Sequence, residues 1–139
     1  MTLKELSQLY YLNREIEIDL ARLHDLRRKL ESPAIARMSK APAKTAQNRN
    51  VERSFEQYEK KVEKLRAIIE GKRLDCLDER IRLEEYICTI PDSLTRQIFT
   101  LRFVNGLGWW QVAYSIGGQH TDESVRQHCH RYIKKSRNV

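Results

Sequence analysis

One stretch of the sequence, residues 51–90, constrains the fold more than any other. Stepping through it by alternating intervals of four and three residues gives twelve positions, of which ten are apolar or aromatic. These positions are Val51, Phe55, Tyr58, Val62, Leu65, Ile69, Lys72, Cys76, Glu79, Leu83, Tyr86 and Ile90. A repeat of this period over about five heptads is typical of a coiled-coil helix. The sequence therefore predicts one long helix with an apolar stripe that has to be buried and that Lys72 and Glu79 interrupt in its middle.

A second amphipathic helix is predicted over residues 3–31. Leucine or isoleucine recurs at every seventh position, and further leucines widen the stripe. The recurring residues are Leu9, Ile16, Leu23 and Leu30, and the widening ones are Leu6, Leu12, Leu20 and Leu26. Pro33 ends this helix, because proline disfavours the helical conformation in the residue before it. We expect residues 1–91 to form a long antiparallel coiled-coil hairpin that forms a homo-oligomer or binds a partner.

Composition supports an all-α fold and excludes several classes of protein. Five glycines and three prolines are too few for the frequent turns of an all-β chain. No apolar run approaches the roughly 18 residues that span a membrane, and the first twenty residues carry acids where a signal peptide would be apolar. Three widely spaced cysteines form neither a disulfide framework nor a CxxC metal motif. We therefore expect a soluble cytoplasmic protein.

Positive charge is concentrated in two segments of the chain. The formal net charge is +7. Residues 33–50 contain four bases and no acid, and residues 121–139 contain five bases and two acids. We expect residues 33–50 to be a flexible basic linker between the two long helices. A positive surface attracts the phosphates of nucleic acids before any sequence is read.

Residues 92–139 predict a small helical domain that follows the hairpin. The predicted helices run from Asp92 or Ser93 to about Asn105, from Trp109 to Ile116, and from an N-cap at Thr121 to about Lys135. The last two helices are short, a glycine turn at Gly117 and Gly118 joins them, and the second of them is basic. This arrangement is typical of a helix-turn-helix unit.

The same domain contains enough apolar residues for a small core. The candidates before the final helix are Ile98, Leu101, Val104, Leu107, Val112 and Ile116. The inward face predicted for the final helix is Val125, Cys129, Tyr132 and Ile133.

Residues 94–107 resemble the helix that opens region four of bacterial sigma factors. There, a basic residue and two apolar residues are followed by leucine, arginine and an aromatic residue, and then by glycine and leucine. The resemblance continues through residues 109–113, Thr121 and residues 124–126. The turn before Thr121 is longer than in sigma factors, and Gly108 stands where a hydroxyl-bearing N-cap is usual.

The order of the two parts also resembles a known group of proteins. A long charged coiled coil before a sigma-like domain is similar to the small phage and prophage late-transcription regulators of the ArpU/RinA type. The resemblance implies a transcriptional regulator that binds double-stranded DNA in a bacterial host cell, with RNA polymerase as a further partner.

The predicted final helix carries the candidate DNA-binding residues. On the face opposite Val125 and Cys129, the side chains suited to base edges are Glu123, Arg126, Gln127 and His130. The candidates for phosphate contacts are Thr121, Arg131, Lys134, Lys135 and Arg137.

Two other functions fit the same sequence features. A small terminase subunit for DNA packaging also combines a helix-turn-helix with oligomerisation helices, usually in the reverse order. A protein-interaction module would instead bind a partner through Trp109 and Trp110. We expect no enzyme and no cofactor, because no P-loop and no set of nucleophile, base and acid is present. We also expect no metal site at His120, His128, Cys129 and His130, because neighbouring helical residues point in different directions.

Overall fold

The computed structural model describes residues 1–31 and 46–138, with side chains for residues 1–31 and 52–138. Every regular element in these residues is a helix, so the predicted all-α fold class is confirmed. None of the helices in these ranges combines the length and the apolarity that a membrane crossing requires. Most of the predicted basic linker, residues 33–45, lies outside the described residues.

The N-terminal helix is interrupted once near its start. Helix α1 spans Leu3–Leu6 and helix α2 spans Gln8–Leu30, where a single helix over 3–31 was predicted. Thr2 caps α1, because its hydroxyl oxygen accepts a hydrogen bond from the Glu5 amide at 3.3 Å. Ser7 separates the two helices, although its own amide still bonds to the carbonyl of Leu3.

The predicted long helix is confirmed as α3, which spans Ala46–Cys88. It begins inside the predicted linker, because residues 46–50 contain no glycine or proline that would stop it. The stripe residues that it buries are Val62, Leu65, Ile69, Cys76 and Leu83. The side chain of Val51, the first stripe position, lies outside the described residues.

The described chain divides into two compact units. The first, here called the two-helix unit, is Arg14–Leu74. The second, here called the multi-helix unit, is Met1–Asn13 with Asp75–Val139. Sequence analysis placed the boundary at residue 91, whereas residues 75–91 and the first thirteen residues group with the C-terminal helices.

In the two-helix unit, α2 buries an acidic residue, Asp19, where sequence analysis expected the apolar residue Leu20. Leu20, assigned to the apolar stripe, is 37% exposed, and its neighbour Asp19 is 5% exposed. The ammonium group of Lys72 lies 2.5 Å from the Asp19 carboxylate, and this hydrogen bond raises the pKa of Lys72. Lys72 is one of the two polar positions in the α3 stripe, and its partner explains why it is tolerated there.

Glu79, the other polar position of the α3 stripe, belongs to the multi-helix unit. Its carboxylate accepts two hydrogen bonds from the guanidinium of Arg82, at 2.8 and 3.1 Å. This pairing also raises the pKa of Arg82.

Three helical segments follow α3 in the multi-helix unit. Helix α4 spans Ser93–Phe99 and continues as a π-helical segment over Thr100–Val104. Helix α5 spans Trp109–Ile116 and helix α6 spans Asp122–Arg137. The predicted N-caps are confirmed, since Asp92 accepts from the Thr95 amide at 3.1 Å and Thr121 accepts from the Ser124 amide at 3.1 Å.

The π-helical segment changes which residues form the core. Sequence analysis chose Ile98, Leu101 and Val104 on the predicted helix that ends near Asn105. Of its six core candidates, four (Leu101, Val104, Leu107 and Ile116) are only half-buried. Ile98 and Val112 are buried as expected, together with Phe99 and Phe103, which were not chosen. The Asn105 amide bonds to the carbonyl of Thr100, five residues earlier, and this wider turn rotates the buried face.

The first helix supplies part of this core. Leu6 is fully buried and Leu9 is 3% exposed. Leu6 lines a groove together with Phe103 and Gly106 within the multi-helix unit. The burial of Leu6 and Leu9 agrees with the grouping of the first thirteen residues with the C-terminal part of the chain.

Candidate nucleic-acid interface

Glycines shape both ends of helix α5. Gly108 precedes it, and its amide donates to the side-chain oxygen of Gln111 at 2.9 Å, which is the half of a capping box that the N3 side chain provides. Gly117 and Gly118 follow it with φ angles of +79° and +69°. L-residues with a side chain rarely adopt this left-handed conformation, so the turn into α6 requires glycine at both positions.

One face of α6 is buried in the multi-helix unit. Val125 is 1% exposed, Cys129 is fully buried and Ile133 is 7% exposed, in agreement with the predicted inward face. Tyr132 is half-buried, and its ring lies edge-on at 5.5 Å from Phe99. Burial raises the pKa of the Cys129 thiol to about 12. These contacts fix the rotation of α6 about its axis and therefore determine which side chains face outward.

Three of the four predicted base-reading residues lie together on the outer face. The Glu123 carboxylate accepts hydrogen bonds from Arg126 Nε at 3.0 Å and Nη2 at 2.5 Å, and from Gln127 Nε2 at 3.1 Å. Gln127 Oε1 accepts in turn from Arg131 Nη2 at 3.2 Å. The bonds from Arg126 lower the pKa of Glu123, and the same pairing raises the pKa of Arg126. Arg131, assigned to phosphate, joins this network.

His130, the fourth predicted base-reading residue, lies apart from this network. Its ring is 6.2 Å from that of Trp109, in an edge-on arrangement. Trp109 is half-buried, and the guanidinium of Arg102 lies 4.4 Å from its ring centre. Trp110 is instead 67% exposed. The two tryptophans therefore differ in environment, since Trp109 is half-buried and Trp110 lies at the surface.

The predicted phosphate contacts are concentrated at the C-terminal end of α6. Lys134, Lys135 and Arg137 are exposed, and none of them forms an ion pair within the described part of the chain. Arg131, Lys134 and Lys135 line one shallow groove. Thr121 lies at the other end of the helix, where its hydroxyl oxygen is engaged as the N-cap.

Sequence analysis missed the role of His128. Its Nε2 lies 2.8 Å from the hydroxyl of Thr95, which is 1% exposed, and 3.6 Å from the Asp92 carboxylate. Because the Thr95 hydroxyl donates its hydrogen to Asp92 at 2.6 Å, its oxygen accepts from His128. This chain of bonds fastens α6 to the start of α4. The Asp-x-x-Thr cap was readable from the sequence, but its histidine partner is 33 residues away.

The four histidine and cysteine side chains considered as metal ligands, His120, His128, Cys129 and His130, are not placed to share one ion. Cys129 is buried, His128 bonds to Thr95, and His130 lies beside Trp109. Among the residues with a described position, no three histidine, cysteine or acidic side chains are placed to share a metal ion.

The outer face of α6 thus offers two kinds of chemistry. Guanidinium and amide groups near its N-terminal half can donate to base edges, and ammonium groups near its C-terminal end can neutralise phosphates. A comparison of the chain with protein-family models, curated proteins and solved structures finds no match in any of the three.

Proposed function

We propose that this chain is a sequence-specific transcriptional regulator of the phage or prophage type that binds double-stranded DNA. In this proposal, α5, the glycine turn and α6 act as a helix-turn-helix, and α6 enters the major groove. The observation that carries it is the division of α6 into two faces. One face buries Val125, Cys129 and Ile133, and the other exposes hydrogen-bond donors and cations along the same 16-residue helix. A helix with its side chains, roughly 10–12 Å across, fits the major groove of B-DNA.

The two halves of the exposed face would have different roles. Residues near the N-terminus of a recognition helix contact base edges in helix-turn-helix complexes. Glu123, Arg126 and Gln127 occupy that half of α6. Lys134 and Lys135 occupy the other half, where they would hold the phosphate backbone and supply affinity for any duplex.

The proposal assigns α2 and α3 to an antiparallel hairpin that forms an oligomer or binds a partner such as RNA polymerase. Two observations within the two-helix unit support the antiparallel direction. Asp19, in the middle of α2, pairs with Lys72, late in α3. Leu30, at the end of α2, lines a groove with Glu59 and Val62, which come earlier in α3. The protein would act in the cytoplasm of its bacterial host.

A binding titration on two duplexes tests the proposed function. The preferred site is first selected from random duplexes with the full-length protein, and a scrambled duplex of equal length serves as reference. We expect Arg126→Ala to weaken binding to the selected site about ten- to a hundredfold and to change binding to the scrambled duplex little. Lys134→Ala should weaken binding to both and reduce the salt dependence by about one charge. Absence of binding to any duplex at low salt would refute the proposal.

A second candidate function, protein interaction, has one observation in its favour. Trp110 and Tyr114, one turn apart on α5, are 67% and 84% exposed. Exposed aromatic side chains are enriched where proteins bind other proteins. This function would be favoured if the wild-type chain bound no duplex at low salt but bound purified bacterial RNA polymerase, and if Trp110→Ala weakened that binding.

A further inference from the structure

In the protein without DNA, the donors proposed to read bases already have an acceptor. Arg126 presents two N–H groups to the two oxygens of Glu123, at 3.0 and 2.5 Å. This fork of parallel donors is the one that an arginine offers to O6 and N7 of guanine. Arg126 therefore cannot contact a base in this way until it leaves Glu123.

The same carboxylate holds the neighbouring amide. Gln127 donates from Nε2 to Glu123 at 3.1 Å, and its Oε1 accepts from Arg131 at 3.2 Å. Both ends of the amide are thereby fixed, and three donor side chains are linked to one acid. Lys134 and Lys135 have no such acceptor within the described residues. The direct hydrogen bonds to Glu123 come from Arg126 and Gln127, which are assigned to base reading, and Arg131, assigned to phosphate, is linked only through Gln127.

We propose that Glu123 is a specificity-determining residue of this surface, which reduces binding to unmatched DNA by holding Arg126 and Gln127 away from phosphates. The inference rests on the proposed DNA-binding function. On unmatched DNA, a phosphate contact by Arg126 would break two charge-assisted bonds and leave the Glu123 carboxylate facing a polyanion.

At a matched site, contacts with bases replace the hydrogen bonds that Arg126 and Glu123 give up. A guanine replaces both acceptors of the Arg126 fork at equivalent positions. The released carboxylate of Glu123 can then accept from the N4 amino group of a cytosine within its reach. The preferred duplex should therefore place a guanine and a cytosine beside the first two turns of α6.

Asp122 provides a matched control for this proposal. It is adjacent to Glu123, exposed, equally charged, and placed in the same first turn of α6. Asp122→Asn and Glu123→Gln therefore remove the same charge from the same end of the helix. Only Glu123 accepts the hydrogen bonds from Arg126 and Gln127 among the described residues.

The test measures dissociation constants of full-length variants on the selected and scrambled duplexes at two salt concentrations. Asp122→Asn should strengthen binding to both duplexes by the same factor, which leaves their ratio unchanged. Glu123→Gln should strengthen binding mainly to the scrambled duplex. The dissociation constant for the scrambled duplex divided by that for the selected duplex should therefore fall about tenfold. Glu123→Asp keeps the charge but is too short for the fork, so it should also lower the ratio. Circular dichroism melts check that all variants remain folded.

Two outcomes would overturn the proposal, and they differ. If the wild-type protein discriminates between the duplexes and Glu123→Gln keeps the same ratio as Asp122→Asn, the role of Glu123 is wrong and the DNA-binding function stands. If the wild-type protein binds no duplex, both proposals fail together.

Discussion

Cys129 connects the packing of α6 to the ionisation of a single thiol. The thiol is fully buried, and burial raises its pKa from 9.0 to about 12 because the thiolate would lose its hydration. As pH rises, the thiol of the unfolded chain ionises at a lower pH than the thiol of the folded protein. Its contribution to stability is therefore complete below about pH 9 and is lost between pH 9 and 12.

We predict that alkylation separates Cys129 from Cys88. At pH 8, iodoacetamide should modify the exposed Cys88 quickly and Cys129 only as fast as the multi-helix unit opens. Peptide mass spectrometry after timed quenching measures both rates, and the chain in denaturant provides the reference rate. Equal rates for the two thiols in the folded protein would show that α6 is not packed through this face.

A second prediction concerns the cap at Asp92. Hydrogen bonds from the Thr95 hydroxyl and amide lower the pKa of Asp92. The stability that comes from this carboxylate is therefore present above its ordinary pKa of 3.8 and is lost as pH falls through the lower, folded value. We expect Asp92→Ala to lower the melting temperature at pH 7, and the difference from wild type to shrink in strong acid.

Ser93→Ala is the control for that prediction, because it alters the neighbouring position and leaves the Asp92 bonds in place. Thermal melts at neutral and acidic pH would compare the three proteins. A constant difference between Asp92→Ala and wild type across this range would mean that the charge of the cap contributes nothing.

At the scale of the elements, the four-residue helix α1 contributes a fully buried side chain to the multi-helix unit. Leu6 in α1 is fully buried in the multi-helix unit, whereas Leu3 in the same helix is 43% exposed. We predict that Leu6→Ala lowers the free energy of unfolding by about 2–5 kcal/mol, because it removes buried apolar surface and leaves a cavity. Leu3→Ala should cost much less. Urea unfolding of the full-length variants measures both, and equal midpoints would show that α1 does not belong to this core.

Local signals predicted the helices that position the candidate interface. The glycines around α5 and the cap at Thr121 are short-range features, and they placed α5 at its observed bounds. The inward face of α6 followed from apolar spacing alone. The network on its outer face was only half predicted, because the sequence named Glu123 and Arg126 without showing that they bind each other.

Long-range features were beyond such reasoning. Asp19 is buried, and its partner Lys72, which supplies a counter-charge, comes 53 residues later in the chain. The bond between His128 and Thr95 likewise joins distant residues. The π-helical segment at residues 100–104 departs from the period of 3.6 on which the choice of core residues depended. Each of these features is decided by tertiary packing, which a periodic pattern does not encode.

At the scale of the whole molecule, we predict an oligomer. Most of the apolar stripe that suggested one is buried within the chain. A different pair, Leu77 and Ile81, lies four residues apart on α3 and is 53% and 46% exposed. Light scattering of the wild-type protein should give a mass above 16.5 kDa, and Leu77→Lys with Ile81→Lys should reduce it to that value without loss of helix. A monomeric wild-type protein would contradict this prediction.

The composition of the multi-helix unit also sets an order of events during synthesis. Residues 1–13 are synthesised on the order of ten seconds before α6, which shares their compact unit, at elongation rates of about 5–20 residues per second. The two-helix unit is contiguous in sequence and can form in that interval. Leu6 and Leu9 meanwhile have no core to enter. A chain stalled before α6 should therefore be a target for chaperones and proteases. Because it lacks α6, it would not compete with the finished protein for DNA.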